Sequence, residues 1–465
     1  MPSVAFRVEH DLLGEMEIPS DAYYGIHTLR AMGNFPLLGQ RVAPSLIQAM
    51  AEVKKAAILS NEKLGYLPDS KSSAMIQACD EVIQGQWLEQ FPLDALQGGA
   101  GTSTHMNLNE VIANRALEVL GHSKGRYDII HPLDDVNLHQ STNDLYPTAI
   151  KVASLRLLEK LSEKIARLQG ALQKKEQEFH ACLKLARTEL QDAIPTTLGN
   201  SFSAFAEAIA RDRWRVFKSM ERLKSINLGG TAIGTGFGAP KNYSYLITQI
   251  LQETTQLPLA RGENLIDLTQ NMDSFVEVSG ILKAHAVNLF KIASDLRLLS
   301  SGPNAGLGEI SLPPQQAGSS IMVGKVNPVI PEAITQVSLK VIGNDQIITQ
   351  VGQLGQLELN AFLPLLAHSF LENLHLLIQA NEIFRERCIE GIIANQESCH
   401  RHLYESASTL AILIPRIGYE KATQAALRMQ KERLTLQEAL QGIADLSHQE
   451  IEEMLQTSQL LTSRR

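Results

Sequence analysis

Cysteine is scarce in this chain. Its four residues, Cys79, Cys182, Cys388 and Cys399, stand far apart and form no CxxC pair. That spacing excludes a disulfide framework and a thiolate zinc site, and predicts a reduced, cytoplasmic protein. A basic excess is also missing: the formal net charge is −8 and the predicted pI about 5.9. Nucleic acid is therefore excluded as the main partner, since phosphate-binding surfaces carry surplus Lys and Arg. A small anionic substrate, which needs only local positive charge, is not. The N-terminus "MPSVAFRVEHDLLGEMEIPSD" turns acidic within ten residues, and no uninterrupted apolar run is long enough to span a bilayer. Neither a signal peptide nor a membrane partner is expected. Several catalytic signatures are lacking too: there is no GxSxG elbow, no HExxH or other metal-ligand spacing, no Walker-type phosphate loop, and no GxGxxG after a strand. The glycine-rich "NLGGTAIGTGFGAP" (Asn227 to Pro240) has no lysine and reads as a tight connection.

What is present is helical periodicity in a chain of 465 residues, 44% hydrophobic and 20% charged, which suffices for a large core. From Ile150, Leu157, Leu158, Leu161, Ile165, Leu168 and Leu172 recur at spacings of three and four, drawing one apolar stripe on a helix. Similar patterns run from about Ser201 to Leu223, Met272 to Leu299 and Pro331 to Ile383. The last contains Gly343, Gly352 and Gly355, which predict a kink or interruption. "LGEMEIP" is the one hairpin candidate, and strands do not alternate with helices. Stripes of this length demand partners, so a mainly α bundle continued across subunits is expected. Boundaries near residues 140 and 395 divide the chain into 1–140 (helical with a short hairpin), 141–395 (central long-helix bundle) and 396–465 (small helical tail).

Four polar stretches beside the long helices break this design: "QGGAGTSTHMNLNE", "HQSTNDLYPT", "ARTELQDAIP" and "GSSIMVGKVNPVIPE". Each is rich in the hydroxyls and amides that cap helices, but four in one chain offer more than caps. Thr102, Ser141, Thr142, Asn143 and Asn327 can hold carboxylate oxygens as donors, with Lys325 as one dedicated cation. Such a set suits a small dicarboxylate. Donors that grip a carboxylate grip its more charged enolate form harder, which acidifies the adjacent C–H. A loop serine, flanked by glycine and stabilised by backbone N–H groups, can act as the base.

"GSSIMVGKVN" resembles the G-S-S-x-M-P-x-K-x-N loop of the aspartase/fumarase superfamily. The similarity extends in order through "EHDLLGEMEIPSDAYYGIHTLRA", "GGAGTSTHMNLNEVIANRA", "HQSTNDLYPT", "LGGTAIGTG" and "SSGPNAGLGEI", and "DAYYGIHTLRA", "KVIGND" and "VNPVIPE" resemble its ammonia-lyase branch. The resemblance implies a three-domain, mainly α subunit. It also implies a homotetramer with a helical core and active sites shared by three subunits. No organic cofactor is implied, although some family members respond to divalent cations. Ser319 is implied as the base that removes the Cβ proton, Lys325 and Asn327 as ligands of the α-carboxylate, and Thr102, Ser141, Thr142 and Ser320 as holders of the β-carboxylate. Asn143 and Thr188 would sit near the leaving amino group. The implied reaction is reversible anti-elimination of ammonia from L-aspartate, giving fumarate. A hydratase, a lyase for a related substrate, and a weakly catalytic binding or structural homologue remain open alternatives.

Two residues depart from the family pattern. Glu189 stands where relatives carry His or Gln, and is expected near the amino group and the α-carboxylate. Like charges at 4 Å cost about 4 kcal/mol at an effective dielectric of 20, so Glu189 is expected to share a proton with Glu332. Val323 replaces a loop proline, which should loosen the loop.

Overall fold

A computed structural model describes residues 5–444 and 446–456. The predicted hairpin opens the fold: β1 (Phe6–Asp11) pairs antiparallel with β2 (Gly14–Pro19). Helices follow: α1 (Ile26–Asn34), α2 (Pro44–Lys63), α3 (Asp69–Ile83), α4 (Thr102–Val119) and, after a π-helical turn (Pro132–Val136), the 37-residue α5 (Thr142–Glu178). A second hairpin pairs β3 (Leu183–Thr188) with β4 (Gln191–Thr197), and α6 spans Leu198–Ser219. β5 (Ser225–Ile226) runs parallel to β6 (Ala260–Arg261), with α7 (Tyr243–Thr255) between them. Then come α8 (Leu265–Gln270), α9 (Asp273–Leu299), β7 (Ile310–Ser311), α10 (Val329–Gly352) and α11 (Leu363–Arg387). β8 (Ile393–Ala394) pairs with β7, and short helices from α12 (Gln396–Glu405) close the described chain.

The predicted stripe on α5 is buried throughout, from Leu157 to Leu172. The helix begins earlier than its stripe and contains Pro147. Proline cannot donate to the carbonyl four residues back, that of Asn143. The Asn227 amide takes over, donating to it at 3.0 Å. The long periodic segment after Pro331 is indeed interrupted, at Gly352 rather than Gly343. Beyond the break, Asn360 accepts from Phe362 N–H (3.0 Å) and donates to the Val351 carbonyl (2.9 Å). Gly355 approaches Gln270 so closely that a Cβ would lie 2.7 Å from its carbonyl oxygen.

The chain divides into two compact units. The first comprises Met1–Leu161, Arg215–Lys283 and Lys340–Leu376, the second Ser162–Trp214, Ala284–Leu339 and Leu377–Arg465. The first buries Leu46, Met50, Val53, Met75, Val111 and Ile112 between its helices. In the second, Leu185 of β3 joins Leu403, Leu410, Leu413, Leu436 and Ile451 in one apolar cluster. Among the described residues, no helix is long and apolar enough to cross a membrane.

Candidate functional site

The first unit holds Thr102, Ser141, Thr142 and Asn143. Thr102 begins α4 and is exposed, its N–H bonded to the Gly99 carbonyl at 2.9 Å. Gly101 just before it has φ 95°, and a Cβ there would lie 2.7 Å from the Tyr146 ring. Only glycine meets both conditions. Ser141, Thr142 and Asn143 open α5, half-buried. The Asn143 N–H donates to Ser141 Oγ (3.2 Å), and its side-chain amide donates to the Ala232 carbonyl (2.7 Å).

Beneath them lies a buried polar layer. Asp144 accepts from the N–H groups of Ser141 (3.0 Å), Gly229 (2.9 Å) and Thr231 (3.0 Å), tying the glycine-rich connection to the "HQSTND" stretch. Burial pushes its carboxyl up to about 6, while those N–H groups and the Lys54 charge pull it down. Lys54 is fully buried, donates to Asn137 Oδ1 at 3.0 Å, and is driven well below the usual lysine range by desolvation. His105 contacts Thr142 Oγ1 through Nδ1 at 2.8 Å. Sequence reasoning missed Lys54, His105, Asp144 and Asn227. His105, Asp144 and Asn227 each lie within a stretch already singled out, whereas nothing in the sequence pointed to Lys54.

The second unit holds the rest. Thr188 ends β3, and Glu189 and Leu190 form the hairpin turn with φ 54° and 62°. All three are exposed, and Glu189 makes no hydrogen bond or ion pair among the described residues. "ARTELQDAIP", read as a polar stretch beside a helix, is thus mostly hairpin. Glu332 lies in the first turn of α10, 4.0 Å from the Arg297 guanidinium. Within the chain, then, Glu332 faces a cation, and no hydrogen bond joins it to Glu189. Arg297, unanticipated from the sequence, also lines a cleft of about 650 Å³ with Ser301, Val326, Asn327 and Glu332.

The loop carrying Ser319 is closed at its base. Gly318 N–H donates to the Lys325 carbonyl (2.8 Å), and Asn327 Nδ2 donates to the Gly318 carbonyl (2.6 Å). A Cβ on Gly318 would lie 2.5 Å from that Lys325 oxygen, so glycine is required for closure. Ser319 is half-buried, and its Oγ accepts from the N–H groups of Ile321 (3.2 Å) and Met322 (2.9 Å). Two donors aimed at one hydroxyl oxygen favour its deprotonated form. Ser320 and Lys325 are exposed, and the Lys325 ammonium has no partner among the described residues. One loop thus presents a hydroxyl that accepts from two backbone N–H groups, a free cation and an amide. Val323 is fully exposed at its tip (105%).

Residues 14–343 match a family model described as a lyase. The chain is 50% identical over 428 residues to an aspartate ammonia-lyase of Pseudomonas aeruginosa, covering 91% of this chain and 90% of that protein. Its structure is similar to the fumarate lyase:delta crystallin from Brucella melitensis bound to cobalt (TM-score 0.93, 46% identity, 98% and 99% of the two chains). It is also similar to a class II fumarase from Schistosoma mansoni (TM-score 0.90, 31% identity, 97% and 98% of the chains). The chain therefore belongs to the lyase family, as a mainly α member of the aspartase/fumarase superfamily.

Proposed function

We propose that the protein is a carbon–nitrogen lyase that reversibly deaminates L-aspartate to fumarate and ammonia. The observation that carries the chemistry is Ser319 Oγ under two backbone N–H groups. The substrate is taken from the ammonia-lyase relatives, which match across nine-tenths of the chain. As an alkoxide, Ser319 removes the Cβ proton. The electron pair passes into the β-carboxylate as an enediolate, held by Thr102, Ser141, Thr142 and Ser320. Lys325 and Asn327 hold the α-carboxylate. The C–N bond then breaks anti to the lost proton, and ammonia leaves past Asn143 and Thr188. Charge builds on the enediolate only during reaction, so donors placed there lower the barrier more than they tighten substrate.

We further propose a homotetramer in the cytoplasm, built of three-domain subunits divided near residues 140 and 395, with each active site shared by three subunits. Supporting it are large apolar side chains left open on the long helices: Leu339 and Ile347 on α10, Val287 on α9, and Trp214 and Phe217 on α6. The reaction needs no organic cofactor, and titrating Mg²⁺ into the assay measures any activation by a divalent cation.

The test follows fumarate absorbance with L-aspartate or L-malate. Release from aspartate, abolished in Ser319→Ala, is the expected result, and full turnover by that variant would refute the base assignment. Release from malate alone supports a hydratase, and release from neither supports a related amino-dicarboxylate substrate or a binding role. The observation favouring those second readings is Glu189, an unpaired carboxylate on the exposed turn.

A further inference from the structure

We propose that His105 is a positioning residue: held through Nδ1 against the Thr142 hydroxyl, its imidazole commits that hydroxyl to donating its proton to the substrate carboxylate. The inference rests on the aspartate-lyase reading above and adds a group that does not itself touch substrate.

His105 lies in the first turns of α4, 1% exposed. Its Nδ1 is 2.8 Å from Thr142 Oγ1, and its Nε2 is buried with no partner among the described residues. Two neutral tautomers are available. With the proton on Nε2, a buried N–H is orphaned and Nδ1 consumes the Thr142 proton. With the proton on Nδ1, the ring donates to Thr142 Oγ1, the threonine proton stays free, and only a lone pair is orphaned at Nε2. Buried N–H groups without partners are rarer than under-satisfied acceptors, so the Nδ1–H form is favoured. A doubly protonated ring would orphan the same Nε2–H while carrying charge. Burial, reinforced by the Lys54 charge, opposes that form and holds the ring well below the usual histidine range.

The consequence is chemical. A hydroxyl is ordinarily both donor and acceptor, and so accepts either a neutral amide or a carboxylate. With an acceptor site occupied by His105, Thr142 is turned to face the substrate with its proton. Ser141 is set the same way, because its Oγ already accepts the Asn143 N–H at 3.2 Å. Two neighbouring hydroxyls are thereby set as donors before substrate arrives, which is the preorganisation an enediolate needs.

The test compares His105→Leu, of similar bulk but without the donor, with His105→Asn, whose amide can place an N–H near the position of Nδ1. With L-aspartate, His105→Leu should lower kcat by about 10- to 100-fold with KM changed much less. His105→Asn should recover most of that loss. Equal kcat in the wild type and His105→Leu overturns the proposal, as does His105→Asn falling with His105→Leu while both keep the wild-type melting temperature. ¹⁵N spectra of histidine-labelled protein, assigned against His105→Asn, read the tautomer without any turnover. A proton on Nδ1 is expected, and one on Nε2 overturns the proposal. A wild type inactive on aspartate would overturn the parent reading, with the spectra still deciding the tautomer.

Discussion

At the residue scale, the Ser319 loop shows why Val323 is tolerated. The Lys325 N–H bonds back to the Met322 carbonyl at 3.4 Å, and Gly324 has φ 78°. That is a type II-like turn, in which Val323 takes the position proline favours. Its N–H donates to nothing among the described residues, so a ring there breaks no bond. Val323→Pro should reduce the loop's open states by about 0.4 to 1 kcal/mol, lowering KM for aspartate about two- to fivefold. Steady-state kinetics decides it, and an unchanged KM would mean that loop entropy does not limit binding. Glu110 carries a second residue-scale prediction. It accepts from the N–H groups of Gly25 (2.8 Å) and His27 (2.8 Å) and the Thr28 hydroxyl (2.6 Å). Burial nonetheless pushes its carboxyl up to about 7 from 4.5. A raised carboxyl binds its proton more tightly folded than unfolded. Its stabilising contribution is therefore complete below about 4.5 and lost as pH rises towards about 7. Glu110→Gln should lower stability overall yet remove that downward slope, as denaturation midpoints measured from pH 4.5 to 8 will report.

At the element scale, the β3–β4 hairpin was the least legible part of the chain. "LKLART" has one β-branched residue, Thr188, and no aromatic, and in "QDAIPTT" Pro195 lies inside the strand. The turn lacks the Asn-Gly pair that two positive φ values usually require. Tertiary partners override these weak preferences. Glu309, fully buried, pairs with Lys184 (2.7 Å), Arg187 (2.6 Å) and His402 (3.2 Å), clamping β3 to residues far downstream in sequence. Burial alone would raise the Glu309 carboxyl, but the charges and hydrogen bonds of Lys184 and Arg187 hold it below the usual range. Glu309→Gln leaves those cations uncompensated and should cost about 3 to 5 kcal/mol. Denaturant unfolding measures the loss, and a cost below about 1 kcal/mol would show the hairpin to be held by Leu185 packing instead.

At the scale of the whole molecule, α10 is two-faced. Ile334, Ser338, Val341, Asp345 and Ile348 are buried along one side, while Leu339 (56% exposed) and Ile347 (38%) stay open on the other. An open apolar face on a long helix marks an interaction surface and so supports the proposed tetramer. Leu339→Asp should dissociate the proposed tetramer and abolish turnover together, because each proposed site draws on several subunits. Light scattering after size exclusion reports the mass, and an active monomer would sink the shared-site model.

The sequence by itself determined the helical class, the opening hairpin, the interruption before α11 and the cluster of Ser319, Lys325 and Asn327 on one loop. Each of these depends on local spacing or on residues adjacent in the chain, where periodicity and glycine chemistry speak directly. Only the tertiary structure decided that "ARTELQDAIP" is a hairpin, that Glu189 stands at its exposed turn, and that Glu332 faces Arg297. It alone also revealed the layer of Lys54, His105 and Asp144 beneath the hydroxyls. Those outcomes depend on charges and donors brought together from distant positions, and burial, not local propensity, sets their energies.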